Sequence, residues 1–258
     1  MKDYLKEIGK RKDLLFYLVT SGLKAEHRNS FLGYFWWLLD PLLNVAIYYF
    51  VVVIIFKRGG PNFGPYLVVG MIIWRWVNTT IRRSAVAIVS QAGIITQINL
   101  PKVIFPFGIA LSQLINFGFG LVVIAIFLLF LKIVPGVELA WLPVIVLVNL
   151  LFLLAIAMIL SFIGVFFRDI DNLVGHLLRL WFFASPVIWE SRNFPEKINW
   201  LIQLNPLAHF LTAYRNIFIF HAAPNIGPLL AIGAASLVVI VLMLIIFNKH
   251  EHKIIKVL

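Results

Sequence analysis

No cysteine occurs among the 258 residues, so disulfides and thiolate chemistry are excluded, although this absence does not identify a compartment. Charge is also scarce. Asp, Glu, Lys and Arg make up 13% of the chain, against roughly 25% in an ordinary soluble domain. The sequence contains no G-x-x-x-x-G-K-[ST] phosphate loop, no H-E-x-x-H and no paired cysteine ligands, so no metal or other cofactor is expected in this chain. Nothing here binds and splits ATP unaided. Long polar or Ser/Gly-rich linkers are missing too, which points to one domain over residues 1–258. The apolar stretch 14–19 is too short, and is followed by too many polar residues, to read as a secretory signal.

What the chain does have is apolar surface. Hydrophobic residues make up 62% of it and the mean hydropathy is +0.97. A water-soluble fold has no interior large enough for that. The formal net charge of +11 fits either nucleic acid or an anionic membrane face. Lys2, Lys6, Lys10, Arg11, Lys12, Lys24 and Arg28 all precede the first long apolar run, which is a juxtamembrane pattern and favours the membrane. No nucleic acid partner is expected.

A helix needs about 20 mostly apolar residues to cross the hydrocarbon core, because its backbone must satisfy its own hydrogen bonds there. Six segments fit: 35–56, 65–81, 103–131, 139–167, 173–189 and 226–247. Arg75 interrupts the second, and His176 and Arg179 interrupt the fifth. The expected fold is an all-α membrane protein with six transmembrane helices. With both termini cytoplasmic, the inner segments carry fourteen Lys and Arg and the outer ones six, in line with the positive-inside rule.

Two elements are not expected to span. Near the N-terminus, Tyr4, Leu5, Ile8, Leu15, Leu18 and Val19 share helical spacing beside Lys6, Lys10, Asp13 and Lys24, as in an interfacial amphipathic helix. Ahead of the last span, Leu207, Phe210, Leu211, Tyr214, Ile217 and Phe218 form an apolar stripe, with Asn205 as N-cap and Pro206 at the first helical position. His209, Arg215 and Asn216 make this segment too polar to cross, so a short outer-side helix dipping into or lying on the leaflet is expected. His250 and His252 read as part of a solvated basic tail. No internal repeat of the inverted-transporter kind is evident.

Four ordered motifs carry a family resemblance. His27-Arg28-Asn29-Ser30-Phe31-Leu32-Gly33 leads to Trp36, Trp37 and Asp40-Pro41, and Asn99-Leu100-Pro101-Lys102 precedes Pro106. Phe167-Arg168-Asp169-Ile170 precedes the run from Trp181 through Ser185-Pro186-Val187-Ile188, and Leu204-Asn205-Pro206-Leu207 leads to Tyr214-Arg215-Asn216. Their order and spacing resemble, over nearly the whole chain, the ABC-2 type permease subunits that export polysaccharides of the O-antigen and teichoic-acid type. The resemblance implies an inner-membrane homodimer with two copies of a separate ATPase subunit, which supplies the ATP and Mg chemistry. It also implies a polyprenyl-linked polysaccharide as cargo.

Such a cargo calls for ring faces on which sugars stack. Trp36, Tyr48, Tyr49, Trp74, Trp181, Phe182 and Trp189 are the candidates for the translocation path, although headgroup-level aromatic belts produce the same clusters. Tyr48 and Tyr49 lie on different helix faces, so at most one of them faces inward. Asp40, Arg75 and Arg179 are ionisable residues within spans. Asp40 and Arg75 either pair structurally or contact pyrophosphate or sugar, whereas Arg179, with His176 one turn earlier, is expected to snorkel to the cytoplasmic interface and is not taken as a ligand. The longest internal cytoplasmic connection makes Gln97, Ile98, Asn99, Leu100, Pro101 and Lys102 the candidate coupling segment, with a charge at Leu100 expected to uncouple hydrolysis from export. Ser185, Pro186, Asn205, Pro206, Tyr214 and Arg215 are the candidate outer gate. Three rivals remain, an ABC-2 exporter of a drug or small lipid, an autonomous secondary transporter or channel, and a structural membrane scaffold.

Overall fold

Sequestering backbone hydrogen bonds from lipid favours helices, and helices are what form. The computed structural model describes residues 6–7, 9–27, 33–55, 63–95, 97, 100–190 and 199–257, and no strand occurs among them. We label the main helices α1 (Lys12–His27), α2 (Trp36–Tyr49), α3 (Phe63–Ala85), α4 (Ile104–Phe130), α5 (Leu142–Phe166), α6 (Ile170–Ala184), α7 (Pro206–Arg215) and α8 (Ile226–Val257). Tyr4, Leu5 and Ile8 of the N-terminal stripe, and residues 28–32 of the first family motif, lie outside the described residues.

Among the described residues, three stretches are both long and apolar enough to cross a membrane: Ile104–Phe130, Val137–Phe166 and Ile226–Glu251, with mean hydropathies of 2.3, 2.9 and 3.1. The other three expected spans also form helices. α2 has 14 residues and runs on into a π-helical turn, Phe50–Ile55. α3 is long enough at 23 residues, but it carries Arg75, Arg82 and Arg83. α6 has 15 residues, a rise of about 22 Å against a hydrocarbon core of roughly 30 Å. It stops because Ser185 precedes Pro186 and takes an extended backbone (φ −105°, ψ 147°), as a residue before proline prefers.

α3 is the axis of the bundle. Leu67, Val69, Ile73 and Val77 are wholly buried on it, and α4, α5, α6 and α7 pack around it. Small residues allow the closest approaches, as expected where helices associate by packing alone. A Cβ at Gly120 of α4 would lie 2.6 Å from the Ile72 side chain, and one at Gly164 of α5 would collide with the Ala85 carbonyl.

Three elements make packing contacts that the sequence alone does not reveal. α1 packs against α4: Leu15 and Leu18 face Gly108, Val19 is buried, and Ser112 Oγ donates to the Val19 carbonyl at 3.4 Å. The outer-side stripe forms α7 but does not lie on a surface. Leu207, Phe210, Leu211, Tyr214 and Ile217 are wholly buried, because α3 and α5 offer an apolar wall that lipid would otherwise cover. The segment expected to be a solvated tail continues α8, with Ile254 wholly buried and Lys249, Lys253 and Lys256 exposed.

Candidate functional site

Polar side chains recur along α3 at Arg75, Asn78, Thr79 and Arg82, a spacing that places them on one face. That face looks into a groove of about 420 Å³ between α2, α3 and α6. Tyr48, Trp74 and Phe182 form its aromatic wall, with Phe182 centred 5.7 Å from Tyr48 and 5.2 Å from Trp74. Trp181 stands behind them, edge-on to Trp74 at 6.3 Å. Tyr49 points away and is exposed, while Trp36 and Trp189 lie off the groove. Three of the seven aromatic candidates therefore line it directly.

The groove is cationic. Arg75, Arg82 and Arg179 all line it. Arg75 Nη2 donates to Asp40 Oδ2 at 3.2 Å, with both side chains about one third exposed, so the pair is solvated and its net stabilisation is small, about 1 kcal/mol or less. Thr79 Oγ1 donates to the Arg75 carbonyl at 2.7 Å and Asn44 Nδ2 to the Asp40 carbonyl at 2.8 Å, each a bond within its own helix to the carbonyl one turn back. At the end of α3, Arg82 Nε lies 3.5 Å from Asp171 Oδ1 at the start of α6. The sequence reading ends the second span at 81, which leaves Arg82 outside it, and weighs only ionisable residues within it, which passes over Asn78 and Thr79. The signal that reveals them is the helical spacing continuing past that point.

The gate candidates gather at one end of the bundle as a buried hub. Arg215 donates from Nε and Nη2 to the Tyr66 carbonyl at 3.3 and 3.2 Å, from Nη1 to that of Pro186 at 2.6 Å, and from Nη2 to that of Val187 at 2.9 Å. Its Cζ sits 3.3 Å from the centre of the Tyr66 ring, a cation–π contact. The guanidinium needs this much satisfaction because only 2% of Arg215 is exposed. Burial pulls it down to about 10, opposed by Tyr66, so it stays cationic at neutral pH. Burial also pushes the neighbouring Tyr214 phenol above its ordinary value, so that residue stays neutral. Gly70 is required here, since a Cβ at that position would meet the Arg215 guanidinium and lie 2.7 Å from the Val187 carbonyl. Asn205 Oδ1 caps α7 by accepting from Leu207 N at 3.1 Å and also accepts from Trp181 Nε1 at 2.9 Å, while its Nδ2 donates to Ser185 Oγ at 2.8 Å. Pro206 is at N1 of α7.

The coupling candidates lie at the opposite end, where α3 finishes and α4 begins. Ile98 and Asn99 lie outside the described residues. Gln97 is exposed, whereas Leu100, Pro101 and Lys102 are buried. Leu100 is only 3% exposed, so a charge there tests packing and docking together, and Gln97 is the accessible position.

The ABC-2 type transporter family model matches residues 13–219, which takes in α1 through α7 with the groove, the hub and the turn. The chain belongs to the ABC-2 type transporter family. Curated relatives extend the similarity along the ABC-2 chain. The O-antigen export system permease protein RfbA of Myxococcus xanthus is 32% identical over 96% of each chain. The protein of the same name in Klebsiella pneumoniae is 28% identical over 95% of each. α8, beyond the family match, is thus still covered by full-length relatives of this ABC-2 member.

Proposed function

We propose that this chain is the permease subunit of an ABC exporter that carries a polyprenyl-linked O-polysaccharide across the inner membrane. Relatives of that name align over nearly its whole length. The observation that carries the reading is the groove, which combines what the two ends of such a cargo need. The ring faces of Tyr48, Trp74 and Phe182 stack on sugar C–H surfaces without a fixed hydrogen-bond code. Arg75, Arg82 and Arg179 attract the diphosphate that joins glycan to lipid.

The groove is open on one side, and guanidinium groups do not face hydrocarbon there without protein or water. The two helices that border it also carry exposed apolar faces, Leu43 and Ile47 on α2 and Leu173, Leu177 and Leu180 on α6. A second copy closing on these edges makes the homodimer. In that assembly α2, α3 and α6 with its continuation through residues 185–189 join the three apolar helices as six spans. Both termini and the turn at residues 97–102 are cytoplasmic, the hub around Arg215 closes the outer end, and two ATPase subunits dock from the inside.

The test is reconstitution. With the ATPase subunit and ATP, vesicles move polyprenyl-diphosphate-linked O-polysaccharide, and omitting either stops transport. Flux driven by an ion gradient with no ATPase subunit present contradicts the reading.

A further inference from the structure

The groove and the hub leave one buried ionic contact without a role. Lys102, in the turn that leads into α4, has a wholly buried side chain, and its Nζ lies 3.2 Å from Glu251 Oε1. Its backbone N–H donates to the same oxygen at 3.1 Å. One carboxylate oxygen therefore holds both the main chain and the side chain of Lys102, joining residues 149 apart in sequence. Glu251 rides on α8, between Phe247 one turn before it and Ile254 one turn after, both wholly buried. α8 packs along α5, so the position of Glu251 is fixed by the bundle and not by the turn. It also lies beyond the stretch matched by the family model.

We propose that Glu251 is a positioning residue for ATP-driven export. The end of α8 is a strut that holds the turn at residues 100–103 in its docking pose, so that a push on the turn reaches α8 and α5 as well as α4. A buried ion pair costs desolvation that apolar packing would not, and its use is to specify one geometry. This inference rests on the reading of residues 97–102 as the ATPase-docking segment.

The test uses the full chain with its ATPase subunit in vesicles and polyprenyl-diphosphate-linked O-polysaccharide as cargo. It reads ATP hydrolysed per glycan carried. Glu251→Gln keeps an acceptor for the Lys102 N–H but drops the charge and leaves a buried cation short of its partner. The double variant Lys102→Met/Glu251→Leu removes both charges and retains packing. ATP used per glycan is expected to rise roughly tenfold in the double variant, within the usual range of coupling between sites, while its melting temperature falls less than that of Glu251→Gln, the N–H at residue 102 being the one group left without its acceptor. A pair that only holds the fold gives the same order of melting but no loss of coupling. Glu251→Gln melts early, the double variant recovers in part, and ATP per glycan in the double variant equals the parent's; that result overturns the proposal. Docking is read separately. A thiol cross-linker on Gln97→Cys, in a chain with no other cysteine, captures the ATPase subunit if the turn docks it. Failure of capture removes the docking reading itself, whereas capture with unchanged ATP per glycan in the double variant removes only the strut.

Discussion

Arg215→Ala is expected to lower the stability of the bundle by about 3–5 kcal/mol, the range for leaving buried polar partners uncompensated. The side chain feeds three carbonyls, those of Tyr66, Pro186 and Val187, and its loss leaves the two outside helix α3, Pro186 and Val187, without this donor where 98% of the residue is out of solvent. The same side chain ties the start of α3, the residues that end α6, and α7 into one unit, so the damage spreads to the packing of three helices. Arg215→Lys recovers only part of the loss. An ammonium places its donors around a point and cannot reach three carbonyls through a planar fork. Thermal unfolding of the purified protein in detergent checks the order parent, lysine, alanine; a parent-like alanine variant contradicts the geometry assigned to the hub.

Charge reversal in the groove has the opposite signature, an intact fold and lost transport. Arg179 is exposed along the groove, so Arg179→Glu leaves packing untouched. Exchanging attraction for repulsion toward a diphosphate at a distance of several Å changes its occupancy by about 3 kcal/mol, on the order of a hundredfold, at the intermediate dielectric of such a site. Export rate in reconstituted vesicles is therefore expected to fall by about that factor, while Arg179→Lys retains most of it. Unaltered export by the glutamate variant places the diphosphate elsewhere.

The parts of this architecture that rest on local sequence were legible without coordinates. α4, α5 and α8 announce themselves by length and apolarity, and the Asn205-Pro206 start of α7 follows from capping chemistry acting within three residues. The Asp40 and Arg75 candidates do meet, because consecutive antiparallel helices bring them to one level. Where the reading stopped short, the cause was distance along the chain or a boundary drawn at a charge. The apolar pattern ends at Ile81 and leaves Arg82 in the following loop, although α3 runs on to Ala85. The burial of α7 depends on the wall offered by α3 and α5, which the apolar stripe of α7 cannot reveal, since lipid and protein favour the same stripe. Leu100 and Lys102 are buried because α8 outlasts its apolar core by several turns and returns to meet the start of α4. No periodicity links residue 102 to residue 251.

The central claim is that cargo passes between α2, α3 and α6, and the lack of native cysteine makes it directly testable. Asn78 lines the groove, whereas Leu230 is exposed on α8, away from it. Asn78→Cys and Leu230→Cys, each labelled to completion with a bulky thiol reagent, are compared for ATP-driven export in vesicles. Labelling at Asn78→Cys is expected to abolish export and labelling at Leu230→Cys to leave it intact; full export with Asn78→Cys completely labelled would contradict the account.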